Sequence, residues 1–196
     1  MIMVKVDIKH QESFSRGQLL LRTLFGWLYI HLPHLFPLSL VGIWSQILSF
    51  ISFWIILFTG SFPQSFFEFQ VKYYKWYLRY TASVSNLTDE YPAFGVNGTS
   101  DAVDFDVSYQ DSYSRGLVLL RFLSIFYVIL PHGFVLFFRM IWMLILNAIA
   151  WWVVLFTGNY PQSFHEFSVD TIRWQYRVAA YLLNLTDDYP PFSGKA

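Results

Sequence analysis

Cysteine is missing from this chain of 196 residues. Its absence excludes disulfides, thiolate metal sites and cysteine nucleophiles, and leaves the redox compartment open. Charge is scarce as well: Asp, Glu, Lys and Arg make up 13% of the residues, about half the usual share. The 13 basic and 13 acidic side chains cancel, so no basic excess calls for a nucleic-acid partner. The leading segment MIMVKVDIKHQESFSRG lacks an apolar core and is not expected to be a cleavable signal peptide. No phosphate loop, dinucleotide fingerprint or nucleophile elbow occurs. The expectation is a protein that is not an enzyme and uses no cofactor or metal.

Apolar and aromatic residues are abundant. Hydrophobic residues reach 55% and aromatics 21%, with 8 Trp, 13 Tyr and 21 Phe. Trp and Tyr favour membrane–water interfaces, where an apolar ring and a polar tip are both accommodated. The chain is also written twice. LFTGSFPQSFFEFQVKYYKWYLRYTASVSNLTDEYPAF at 57–94 returns at 155–192 as LFTGNYPQSFHEFSVDTIRWQYRVAAYLLNLTDDYPPF, at a constant offset of 98. The repeats divide the chain into residues 1–98 and 99–196.

Each repeat opens on alternation. Val4, Val6 and Ile8 alternate with Lys5, Asp7 and Lys9, and Val103, Phe105 and Val107 with Asp104, Asp106 and Ser108. Period two predicts a short half-buried strand in each copy. Ser15 and Ser114 then read as N-caps of a first apolar helix, about 17–31 and 116–130. It is interrupted only by Arg22 and Arg121, for which snorkelling to the membrane surface is expected. Pro33-His34 and Pro131-His132 predict a turn or sharp kink. Beyond them lie apolar helices over about 35–59 and 133–157, the second carrying Arg139 and Asn147, each long enough to span a bilayer. Gly42, Ser45, Ser49 and Ser52 put small residues on one face, so that face and Asn147 are expected against other helices. Gly60 and Gly158 stop these helices. A third helix, about 65–88 and 163–186, carries an aromatic stripe and a charged stripe, the pattern of an amphipathic helix lying in the headgroup plane.

The fold class read from this is an all-α integral membrane protein of two tandem repeats. Each repeat is a short strand, a two-helix transmembrane hairpin and an amphipathic interfacial helix. Lys5, Lys9, Arg16 and Arg22 precede or begin the first span, and Lys72, Lys75 and Arg79 follow the second. The positive-inside rule then puts both termini in the cytoplasm.

The string Pro131-His132, Phe156-Thr157-Gly158, Tyr160-Pro161, Arg173-Trp174, Arg177, Leu185-Thr186-Asp187 and Tyr189-Pro190-Pro191-Phe192 resembles a family of bacterial membrane proteins catalogued only as a domain of unknown function, number 4389. The first repeat departs from the pattern at Phe62, Lys75 and Ala93, where the family has Tyr, Arg and Pro. The resemblance implies a bacterial inner-membrane protein and assigns it no activity; the two hairpins make it multi-pass. His34 and His132 have no ligand-spaced neighbours, so a hydrogen-bonding role in the helix turn is expected rather than a metal or proton relay. The candidates for lipid headgroup contact are Lys72, Lys75, Trp76, Arg79, Arg173, Trp174 and Arg177. Arg22, Arg121, Arg139 and Asn147 are the candidate polar groups within the membrane. The functional expectation is an accessory or scaffold subunit of a larger membrane assembly, with membrane lipids and other membrane-protein subunits as partners. A lipid-organising protein and a small two-repeat transporter are the alternatives.

Overall fold

A computed structural model describes residues 4–195. In chain order it contains β1 (Val4–Ile8), α1 (Arg16–Gly26), α2 (Leu32–Thr59), α3 (Gln64–Val84), β2 (Val103–Val107), α4 (Arg115–Leu120), α5 (Leu130–Thr157) and α6 (Gln162–Leu182). Ser15 and Ser114 cap α1 and α4 by accepting from the backbone N–H of Gln18 and Leu117.

No turn separates α1 from α2, which corrects the expected hairpin. A single π-helical turn, Trp27–His31, joins them into one helical run from Arg16 to Thr59. In the second repeat a short 3₁₀ turn and a π turn, Ile125–Ile129, join α4 to α5 in the same way. Pro33 and Pro131 fall in the first turn after each π turn, at a register shift rather than in a regular helix interior. A proline at this place strips the carbonyl four residues back of its usual donor. Those carbonyls belong to Tyr29 and Tyr127. The hydroxyls of Tyr91 and Tyr189 donate to them at 3.0 and 2.8 Å, so a distant side chain satisfies the carbonyl that proline leaves bare.

The repeats are intertwined. β1 pairs antiparallel with β2, with Val6 opposite Phe105. β1 packs on α6 of the second repeat and β2 on α3 of the first. The start of α1 meets the end of α5, with Phe14 N–H donating to Gly158 O at 2.8 Å and Arg16 to Phe156 O at 3.0 Å. The start of α4 meets the end of α2 likewise, through Tyr113 N–H to Gly60 O at 2.8 Å. Gly60 and Gly158 take left-handed φ values of 76° and 78°, which lets the chain reverse into α3 and α6.

Three layers result. The two long helices pack on α3 and α6, and these pack on the two-stranded sheet. Side chains from α2 and α3 interlock where a Cβ on Gly42 would meet the Tyr73 hydroxyl at 2.7 Å. Gln70 is fully buried; its amide donates to Ser45 O at 2.8 Å and Ser49 Oγ at 2.7 Å, and it accepts from Ser45 Oγ at 2.5 Å. The helices read as interfacial are therefore the middle layer, enclosed on two sides. The apolar surface left open lies on the long helices, where Phe36, Phe50, Phe58, Phe126, Phe134 and Phe156 are all exposed. Two helices, Arg16–Thr59 and Ile125–Thr157, are long and apolar enough to cross a membrane.

Candidate functional site

The residues that carry the repeated motif converge in two places per repeat. The first is a chain of three rings. Trp76 Nε1–H donates to His34 Nδ1 at 3.1 Å, and Trp174 Nε1–H to His132 Nδ1 at 2.9 Å. Indole can only donate, so Nδ1 is the acceptor and Nε2 carries the proton of a neutral imidazole. Nε2 then donates to the Tyr91 hydroxyl at 3.2 Å and, in the second copy, to Tyr189 at 3.0 Å. The tyrosine hydroxyls in turn donate to the carbonyls freed by proline. Phe94 packs against His34, and Phe192 stacks on His132 with ring centroids 4.0 Å apart. Pro-His, Trp and Tyr-Pro-x-Phe thus form one latch that fastens the C-terminal segment of each repeat to α3 or α6 and to the π turn of the long helix. Each latch ends on a backbone carbonyl, with no further acid or base in line among the described residues. Among the described residues no group of three or more His, Asp and Glu stands close enough to hold a metal ion.

The second convergence is an arginine clasp. Asn86 and Asn184 end α3 and α6 in the left-handed conformation, at φ of 54° and 62°. Leu87 N–H returns to Ala82 O and Leu185 N–H to Ala180 O, each at 2.9 Å, which is a Schellman closure. The following Leu-Thr-Asp turn is gripped from both sides. Asp89 accepts from Ser15 N–H and Asp187 from Ser114 N–H, both at 2.6 Å, while Gln11 and Gln110 accept from the Asp backbone N–H groups. Arg22 donates into the same turn, to the carbonyls of Ser83, Thr88, Asp89 and Glu90. Arg121 reaches Asn184 Oδ1 at 2.5 Å, Thr186 O at 2.7 Å and Asp187 Oδ1 at 3.2 Å.

These contacts relocate the residues expected at the lipid surface. Trp76, Arg79, Arg173, Trp174 and Arg177 are buried. Arg79 donates to Ala93 O and Gly95 O, and Arg177 to Ser193 O and Lys195 O, so each pins the segment that follows its helix. Arg173 bonds Val6 O at 2.9 Å on β1, Gly194 O at 2.7 Å and Asp170. An aromatic and basic stripe meets a strand edge and a chain of carbonyls here, not headgroups. Of the candidates only Lys72 is exposed outright, and Lys75 pairs with Asp104 at 2.6 Å. Asp104 also pairs with Lys5 at 3.0 Å, and the hydrogen bond from Lys75 holds its carboxyl below the ordinary carboxylate range. Arg22 and Arg121 do not snorkel; the clasp uses both. Arg139 lies over the Phe167 ring at 4.4 Å and donates to Thr171 Oγ1 at 3.3 Å. Asn147 turns toward α6, accepting from Tyr160 Oη at 2.6 Å and Ser168 Oγ at 3.1 Å.

The family described as Domain of unknown function (DUF4389) matches residues 18–95 and again 118–194. The chain belongs to that family, in two tandem copies. No curated protein and no solved structure matches it. The matched segments contain both latches and, of each clasp, the arginine, the left-handed asparagine and the Leu-Thr-Asp turn; Gln11, Ser15, Gln110 and Ser114, which grip that turn from its other side, lie just ahead of them.

The two Schellman closures separate conformation from hydrogen bonding. The left-handed backbone costs an ordinary L residue roughly 1–2 kcal/mol, so Asn86→Ala is expected to lose about that much. Asn86→Gly is expected to be nearly neutral, because Asn86 Oδ1 has no partner to lose. Asn184→Gly is expected to cost about 1.5–3 kcal/mol, because its Oδ1 accepts from a charged donor, Arg121. Thermal melts of the three variants compared with the parent check the order.

His165 is specific to the second copy, since Phe67 holds its place in the first. It is buried, with Nε2 at 3.2 Å from Leu87 O and its ring 4.9 Å from that of His10. Burial pushes its pKa down to about 4. An unfolded chain therefore binds a proton at this residue, near its ordinary value of about 6.5, before the folded chain does. The stabilisation is complete above that value and is lost as pH falls toward 4. The expected loss is about 3 kcal/mol between neutral pH and pH ~4. His165→Phe should flatten that part of the stability–pH curve, and an unchanged slope would show that the titration lies elsewhere.

Proposed function

We propose that this protein is a non-catalytic resident of the bacterial inner membrane that serves as an accessory or scaffold subunit of a larger membrane assembly. One observation carries the reading. Every concentration of polar chemistry found in the chain is consumed in holding the fold together, while the long helices leave an apolar surface far larger than the protein's own core requires. Lipid acyl chains and apolar faces of other membrane subunits are the partners such a surface accepts. The positive-inside bias of Lys5, Lys9, Arg16 and Lys72 favours a cytoplasmic position for the polar layers and the termini. The lipid-headgroup alternative rested on Lys72, Lys75, Arg79, Arg173 and Arg177, and the internal bonding of all but Lys72 takes most of its support away. Gentle extraction from native membranes, followed by affinity purification of the full chain, tests the proposal. A stoichiometric membrane-protein partner is the expected result, and a monodisperse lone monomer would count against it.

A further inference from the structure

We infer that the two long helices lie flat in one leaflet, with α3, α6 and the sheet on the aqueous side, and do not cross the bilayer. The inference rests on the membrane residence proposed above and concerns how that residence is achieved.

Three observations lead to it. The first is the level of the charges. Gln70, Tyr73 and Trp76 of α3 meet Ser45, Gly42 and His34 of α2, so the middle of α3 lies beside the middle of the Arg16–Thr59 helix. β2 lies on the same stretch of α3, with Phe105 against Tyr74 and Asp104 bonded to Lys75. A spanning helix would therefore carry Lys5, Lys72, Asp104 and Asp106 to mid-membrane depth, three of them exposed. Charges at that depth are strongly disfavoured unless they face a protein interior or water. The second copy repeats the geometry: Ser168 and Trp174 of α6 meet Asn147 and His132 of α5, and Arg173 bonds Val6 O on β1.

The second observation is one-sidedness. His34, Leu38, Ser45, Leu48, Ser52 and Ile56 bury one stripe of α2 against the middle layer. At ~100° per residue, Leu40, Ile43, Ile47, Phe50, Trp54 and Phe58 fall on the opposite side, and all are exposed. Apolar face, α2, α3 and charged sheet are thus stacked along one direction, perpendicular to the helices. A bilayer surface imposes the same order on a helix that lies in it. The third observation is length: 44 residues at ~1.5 Å each give about 66 Å, roughly twice a ~30 Å hydrocarbon core.

The absence of native cysteine gives thiol labelling no background. Ser13 lies at one end of the long-helix layer and Asp111 at the other, with Asp106 on the sheet between them, and all three are exposed. Single variants Ser13→Cys, Asp106→Cys and Asp111→Cys are expressed in cells, and a membrane-impermeant maleimide is applied to spheroplasts and to inverted vesicles. Glu12→Cys and Ser112→Cys replace either end variant that fails to accumulate. The expected result is labelling of all three positions from the same face and of none from the other until detergent is added. Labelling of the two ends from opposite faces would overturn the inference while leaving membrane residence intact. Release of the unlabelled protein by alkaline carbonate would remove membrane residence itself, and the inference with it.

Discussion

Replacing Arg121 with leucine is expected to destabilise the protein by about 3–5 kcal/mol, the range seen when one partner of a buried ion pair is removed. Arg121 is 7% exposed, and its guanidinium serves Asn184, Thr186 and Asp187 together. Leucine supplies the apolar stem but leaves the Asp187 carboxylate, itself mostly buried, without a counter-charge. It also frees Thr186 O and Asn184 Oδ1 inside a closed turn. Arg121→Lys should recover only part of the loss, because one compact ammonium cannot reach three acceptors that a planar fork addresses together. Arg22→Leu should cost less: Arg22 bonds four backbone carbonyls and no carboxylate. Tryptophan fluorescence during heating in one detergent, applied to all four proteins, gives the ranking. Equal losses for the Arg22 and Arg121 variants would remove the ion pair from the explanation.

The repeat, the apolar runs, the helix stops at Gly60 and Gly158 and the N-caps at Ser15 and Ser114 all follow from short-range rules, and local sequence carries them. The expected hairpin fails because Pro33 predicts a break only when set against its sequence neighbours. The carbonyl that proline leaves bare is satisfied by a hydroxyl at Tyr91, far along the chain. The stripes on α3 and α6 misled for a related reason. Basic and aromatic residues facing outward from a helix suit headgroups, but they equally suit the carbonyls of a strand or chain tail, and helical periodicity cannot tell the two apart. Alternation in Val4–Ile8 announces one buried face without naming what covers it, and the cover comes from the other repeat. One signal was available. His and Trp stand 42 residues apart in both copies, and His and Tyr 57. A spacing kept through a duplicated segment that also contains substitutions is a reason to place three polar rings together before assigning any of them to lipid.

That latch yields the second large effect. His132→Leu is expected to cost about 3–4 kcal/mol, combining the penalty for an orphaned buried donor with the loss of ring stacking. Trp174 is buried, and without His132 its indole N–H has no acceptor. The stack of His132 on Phe192 disappears as well. Tyr189 suffers less, since it is half exposed and keeps its bond to Tyr127 O. Trp174→Phe alone should cost about 1–3 kcal/mol, because it leaves His132 Nδ1 bare. The double variant His132→Leu/Trp174→Phe then separates a latch from two independent packing residues. With both partners gone no polar atom of the pair is left unpaired, so the double loss should fall short of the sum by about 1–2 kcal/mol. His34→Leu combined with His132→Leu is the control: the two latches share no partner, and their losses should add within about 0.5 kcal/mol. Strict additivity within the His132–Trp174 pair would mean that the rings merely fill space, and the interpretation of the repeated motif as a hydrogen-bonded latch would fail.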